Sequence, residues 1–325
     1  MKRVLRYSGL FVLIVIAGLC LTRAIVGLSF VMGDHVFYPS AGQFLRPDVH
    51  TAHFVILSDS GSANHTLERV IREAKNQHHP DFMLYLGDLV TSRTTEHLFW
   101  MVNEIASRLD ETPMYFAIGN HDCKKRSGMN KSYYRHVFSQ PYYWFGYGDT
   151  LFITLDSASL TISDDEWAFF EQVMQRIRPS FRRVILYTHV PPTGNHALKP
   201  EASTKMAEML SRYPVDAIFT GHVHYFSRQN FNGIPLYTNP SSGQRPRGDI
   251  PKFGYTDVVI DENGIHVTPY YSNQRKASEW AEKFFVDNVL TDRFKWIVLW
   301  GIFGGILLIW FGCRDMRHPF RQRHK

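Results

Sequence analysis

Five short segments concentrate residues able to bind metals or move protons: LSDSG with Asp59, YLGDLV with Asp88, AIGNHDC with Asn120, His121 and Asp122, YTHVPP with His189, and TGHVHYF with His222 and His224. Carboxylate oxygen, amide oxygen and imidazole nitrogen together suit Mn, Fe or Zn, and sometimes Mg or Co. Six such ligands exceed what one ion needs. A carboxylate shared by two ions about 3.5–4 Å apart accounts for the surplus. Taken singly each segment is weak, because a Gly-Asp after a strand often caps a turn and a lone histidine is usually structural. The weight lies in their joint occurrence and order.

Each segment follows an apolar run. TAHFVIL, DFMLYL, MYFAI, RRVILY and VDAIFT read as buried strands. HTLERVIREAKNQ, EHLFWMVNEIASRL, DDEWAFFEQVMQRI and EASTKMAEMLSRY carry apolar residues at helical spacing, with Ser163 placed to cap the third. YYWFGYGDTLFITLDS predicts a hairpin turning at Gly148 and Asp149, and YTDVVIDENGIHVTPYY a second turning at its ENG. The β-α-β-α-β start predicts parallel strands under helices. Ligands in such folds gather at the carboxyl ends of strands, where these segments stand. No boundary breaks residues 50–272, so they form one α/β domain.

At this point the chain resembles the calcineurin-like metallophosphoesterases. Their motifs run D-x-H, G-D, G-N-H-D/E, a later His, and G-H-x-H. Here they stand as Asp59-Ser60-Gly61, Gly87-Asp88, Gly119-Asn120-His121-Asp122, His189, and Gly221-His222-Val223-His224. The resemblance implies a four-layer α/β sandwich of two mixed β-sheets flanked by helices, with a two-metal site. By position, Asp88 bridges the ions. Asn120, His189 and His222 join it on one; Asp59 and His224 hold the other. His121 serves as acid or hydrogen-bond donor at the leaving oxygen, with Asp122 orienting its ring. The expected cofactors are two divalent or trivalent ions, Mn, Fe or Zn. The expected reaction is hydrolysis of phosphate mono- or diesters by hydroxide formed between the ions. A degenerate, non-catalytic metal-binding domain is the alternative.

The first motif departs from the pattern, because Gly61 replaces its histidine. The purple acid phosphatase branch also has glycine there, but adds a tyrosine three residues after the G-D aspartate. Here that residue is Thr91. His65 or solvent is left to complete the coordination. Arg245 and Arg247, in SSGQRPRGD, are of a type suited to gripping phosphate in a fork; a solvated loop is the other reading. The basic run CKKRSGMNK stands next to the GNHD segment.

The chain has 325 residues, 44% hydrophobic, with a formal charge of +6. Nine of its 36 basic residues but one of its 30 acidic ones lie in the two ends, around Lys2 to Arg23 and Arg314 to Lys325. The middle is near neutral, so no nucleic-acid partner is expected. Three cysteines exclude a dense disulfide framework. GLFVLIVIAGLCLT near the start and WIVLWGIFGGILLIWFGC near the end are apolar enough to cross a bilayer. A cleaved signal peptide is the rival for the first, but it lacks a clean small-x-small site. The basic flanks put both termini in the cytoplasm. The expected layout is an anchor over 1–33, an extracytoplasmic domain over 34–293, and a second membrane helix with a basic tail over 294–325. That domain would be periplasmic or exterior in a bacterium and lumenal in a eukaryote. Its partners would be the bilayer and a phosphate-ester substrate, with a membrane lipid among the candidates.

Overall fold

The structure is a computed structural model describing residues 2–31, 42–61, 65–90, 102, 105, 112–123, 130–250, 252–272, 288–289 and 294–313. Most of the helix expected over EHLFWMVNEIASRL, Thr91, the basic run at 124–129 and the basic C-terminal tail lie outside these residues, as does the side chain of His65. The chain divides into two compact units, residues 35–283 and the two ends, 1–34 with 284–325.

The central unit has two sheets. In chain order its elements are β1 (Gln43–Leu45), β2 (Ala52–Leu57), α2 (His65–His78), β3 (Phe82–Tyr85), β4 (Met114–Phe116), α3 (Ser132–Phe138), β5 (Tyr143–Tyr147), β6 (Thr150–Thr154), α4 (Asp164–Arg176), β7 (Arg183–Tyr187), α5 (Pro200–Arg212), β8 (Ala217–Thr220), β9 (Ser227–Phe231), β10 (Ile234–Thr238), β11 (Gly254–Asp261) and β12 (Gly264–Tyr271). The numbering leaves α1 for the helix that precedes β1. One sheet runs β12-β11-β2-β3-β4; the other runs β1-β5-β6-β7-β8-β10-β9. In the first, β2, β3 and β4 are parallel, and β11 is antiparallel to β2. In the second, β6, β7, β8 and β10 are parallel, β5 is antiparallel to β6 but parallel to β1, and β9 is antiparallel to β10.

Strand periodicity sorts the core into layers. Phe152, between Leu151 and Ile153 on β6, faces inward to meet Phe54 and Phe82 of the other sheet. Leu151 and Ile153 face out toward Trp167 and Phe170 of α4 and Met206 of α5. Burying one such phenylalanine contributes about 1.5–3 kcal/mol. The run is hydrophobic on both faces because both are covered, which is why these strands read as unbroken apolar stretches. Helix α4 starts at a complete capping box: the Ser163 hydroxyl accepts from the Glu166 N–H, and the Glu166 carboxylate accepts from the Ser163 N–H. Both expected hairpins form, β5–β6 and β11–β12. The strands β1 and β9 add to the sequence reading; both lie at the outer positions of the seven-stranded sheet.

In the terminal unit, α1 (Lys2–Val31) and α6 (Phe294–Cys313) are both long and apolar enough to cross a membrane. They pack backbone to backbone. A methyl group on Gly9 would fall 2.6 Å from the Gly305 carbonyl oxygen, so only the smallest residue allows this approach. Arg23, the charge that interrupts the first apolar run, donates to the Val289 carbonyl and lies over the Phe294 ring.

Candidate metal centre

The expected ligands converge where the two sheets bring their strand ends together. Asp59 follows β2, Asp88 follows β3 and Asn120 lies past β4. His189 follows β7, and His222 with His224 follow β8. Backbone bonds tie these loops to each other: Asp59 N–H to the Gly87 carbonyl (2.9 Å), Gly221 N–H to His189 (2.9 Å), and Ser242 N–H to Ser58 (2.7 Å). Gly119 passes so close to Asp88 that a methyl group there would lie 2.1 Å from its backbone nitrogen. The glycine of GNHD is therefore required by packing.

Two candidate ligand groups result, Asp88/His189/His222 and Asp59/Asp88/His224, with the ligand atoms of each within 4.8 Å of one another. Asp88 belongs to both. Asn120 joins the first, its Oδ1 standing 3.1 Å from His189 Nε2.

The proton arrangement fits cations. His189 Nδ1 lies 2.7 Å from the Leu86 carbonyl oxygen and must donate to it. In neutral imidazole, Nε2 then presents a lone pair. That lone pair faces the Asn120 oxygen, the Asp88 oxygen at 3.3 Å and His222 Nδ1 at 3.1 Å. His224 repeats the pattern, with Nδ1 2.9 Å from the Arg245 carbonyl and Nε2 3.4 Å from Asp59. Carbonyls thus fix both tautomers, as they do for metal-ligating histidines. Lone pairs facing carboxylate and amide oxygens in a buried pocket favour a positive charge between them.

Without metal, a proton takes that place. Burial alone would push His189 down, but the carboxylates of Asp88 and Asp59 hold it up to about 9. Asp88, which burial would raise, is held well below the usual carboxylate range by His189 and His121. Burial and the charge on His189 push His222 down to about 4. A raised folded-state value stabilises the metal-free protein below about pH 6.5, and that contribution disappears as pH rises through about 9. The melting temperature of chelator-stripped protein is accordingly expected to fall over that window. Metal-loaded protein should hold level. Parallel curves for the two forms would contradict this account.

Four of the gathered residues have left-handed backbone: Asp59 (φ 54°), Asp88 (54°), His222 (71°) and His224 (64°). Each costs about 1–2 kcal/mol for a residue with a Cβ. Such strain persists where the surroundings over-determine it, and it gathers at functional sites.

His121 and Asp122 differ from their neighbours. The His121 N–H donates to Asp88 Oδ1 (2.8 Å), while its ring nitrogen Nε2 stands 3.9 Å from Asp88 Oδ2 and the side chain is 35% exposed. The ring therefore sits at the rim, beside the shared carboxylate. The Asp122 carboxylate turns to the backbone. It accepts from the N–H groups of Gly119 (2.7 Å), Asp88 (3.0 Å) and Val90 (3.1 Å). The geometry thus gives it the holding of two ligand loops. Replacing Asp122 by alanine leaves three buried donors without their acceptor, at about 1–3 kcal/mol each. We expect the metal-free protein to lose about 3 kcal/mol or more. Thermal unfolding in excess chelator checks this; an unchanged midpoint would show that the loops hold without it.

Arg245 and Arg247 are exposed and flank the site through their backbones. The Arg245 carbonyl receives His224, and the Arg247 N–H donates to the His224 carbonyl (3.0 Å). Two contributors escaped the sequence reading. The NPSSG loop after β10 braces Asp59, with the Ser241 hydroxyl donating to its carbonyl (2.8 Å). Its signal was a run of small polar residues at a strand end. His196, exposed and left-handed, brings its ring to 6.2 Å from that of His222.

An α/β sandwich whose strand ends gather two ligand groups around one carboxylate defines a metallophosphoesterase-type protein. The chain belongs to the calcineurin-like phosphoesterase family, hydrolases of phosphoric esters, whose model matches residues 52–226. It is 20% identical over 270 residues to a probable cyclic nucleotide phosphodiesterase of Psychrobacter arcticus, covering 73% of this chain and 91% of the relative. A second relative of that description, from Fibrobacter succinogenes, is 25% identical over 217 residues, covering 59% and 79%. Among solved structures, the purple acid phosphatase from yellow lupin (Lupinus luteus) seeds shares the fold, with a TM-score of 0.58 at 15% identity. The match covers 72% of this chain and 53% of that one, so this chain spans about half the phosphatase's length.

Proposed function

We propose that this chain is a membrane-anchored, metal-dependent phosphodiesterase. The observation that carries the reading is the membership of Asp88 in both ligand groups, with the His121 ring at the exposed rim beside it. Cations held there would supply Lewis acidity, lowering the pKa of water toward neutral and offsetting charge on the phosphoryl oxygens. One would rest on Asp88, Asn120, His189 and His222, the other on Asp59, Asp88 and His224. His121 is placed to give a proton to the departing oxygen. Its N–H bond to Asp88 fixes its distance from the ligand groups. Asp122 keeps the Asp88 and GNHD loops in register. Arg245 and Arg247 offer forked donors for the ester's non-bridging oxygens.

Diesters are favoured over monoesters by the names of the two relatives, both probable cyclic nucleotide phosphodiesterases. The helix pair α1/α6 supports anchoring at both ends, with the basic flanks cytoplasmic and the catalytic unit on the other side. Such tethering favours esters presented at a membrane surface, lipid head groups among them. Full-length protein in detergent, assayed on bis-p-nitrophenyl phosphate, p-nitrophenyl phosphate, a cyclic nucleotide and phospholipid vesicles with Mn, Fe or Zn, tests this. Turnover of a diester that disappears with chelator is expected. Absence of turnover with every metal and ester would instead favour the non-catalytic binding reading.

A further inference from the structure

Gly61 stands where the family motif has a ligand histidine, and the space beside it is filled. A Cβ built on Gly61 would fall 2.6 Å from Gln244 Cγ, 2.8 Å from its Nε2 and 2.9 Å from its Cδ. The Gln244 side chain therefore occupies the ground where a side chain from residue 61 would begin. Its backbone is pinned to the same part of the site. The Gln244 N–H donates to the Asp59 carbonyl (2.7 Å), the Ser241 hydroxyl shares its one proton between the Asp59 carbonyl (2.8 Å) and the Gln244 carbonyl (2.9 Å), and the carbonyl of the next residue, Arg245, receives His224 Nδ1 (2.9 Å). The stretch Gln244-Arg245 is thus bonded to both Asp59 and His224, the two residues that complete the ligand group poorer in donors.

We infer that Gln244 supplies the cation of Asp59 and His224 with the side-chain oxygen that Gly61 leaves out. The chemistry is consistent. A carboxamide oxygen is neutral, as the missing imidazole would be, so the exchange keeps the charge balance of the site. Asn120 already contributes the same group to the other set, so each cation receives one amide oxygen. A half-turn of the amide exchanges Nε2 with Oε1 at no steric cost. A histidine introduced at Gly61 would displace the Gln244 side chain and strain a backbone at φ 67°, so the two side chains compete for the same ground.

The inference rests on the two-cation reading, and metal content separates the two. Full-length protein in detergent is loaded with Mn or Zn, desalted and measured by elemental analysis, alongside Gln244→Ala, Gln244→Leu and Gln244→Glu. Wild type is expected to retain two equivalents. The alanine and leucine variants should keep one and bind the second about 10- to 100-fold more weakly. The glutamate variant, which still offers an oxygen, should keep two. Leucine preserves volume over Gly61, so a shared loss in both apolar variants reports the missing oxygen and not a collapsed loop. Equal metal-free melting temperatures across the set identify a ligand effect. Two equivalents at wild-type affinity in Gln244→Leu would overturn the inference alone. Fewer than two in wild type would overturn the two-cation reading beneath it.

Discussion

Asp88→Asn is expected to strip the site of both cations together and to leave hydrolysis below detection. Asp88 is the one residue present in both ligand groups, and it is almost wholly buried. Asparagine has the same shape and tolerates the left-handed backbone that Asp88 adopts, so the loop should keep its course. What disappears is the negative charge. Only Asp59 then offsets two divalent ions in a pocket shielded from water, where charge imbalance is costly. Elemental analysis after desalting, with a diester assay on the same sample, measures both effects. Retention of one full equivalent would mean that the two groups bind independently and that Asp88 serves only one.

The second large effect is expected at His121, with a different signature. His121→Ala should keep its metals, because His121 is in neither ligand group, and lose about 10²–10⁴-fold in kcat, the usual range for a general acid. The loss should depend on the leaving group. A p-nitrophenolate departs without much help from a proton, whereas an alkoxide does not. The deficit should therefore be small on bis-p-nitrophenyl phosphate and large on an alkyl diester. An equal loss on both would assign the ring to binding the ester and not to protonating the departing oxygen. Metal content measured on the same preparations shows whether either variant acts through lost cations.

The contrast between these residues and Asp122 marks what a linear sequence discloses. Asp88, His189 and His222 could be located because each ends an apolar run, and a strand end in a layered α/β fold has few places to go. The pairing of Leu151 and Ile153 against Phe152 follows from period two in the same way. Asp122 adjoins His121 in sequence, but its partners are the N–H groups of Asp88 and Val90, which a crossing of loops brings to it. Gln244 is harder still, since its relation to Gly61 depends on the whole sandwich closing. Strand β9, SRQNF, is short, polar and outermost in its sheet, so it carried too little apolar signal to be recognised. The left-handed turns at the ligands leave no mark in composition, because aspartate and histidine are needed there for another reason.

Those turns also restrict how the centre can drift over evolutionary time. On the two-cation reading, a substitute at Asp59 or Asp88 must satisfy the cations and also accept positive φ. Glutamate meets the first demand but carries a longer side chain and gains nothing from the second. Asparagine and glycine meet the second but give up the charge. The alphabet open to each position is therefore narrower than its chemistry alone would set, and the easy steps lead toward glycine. Residue 61, at φ 67°, already carries glycine. Its glycine is the residue its backbone prefers, so a histidine arising there would meet both backbone strain and the Gln244 side chain.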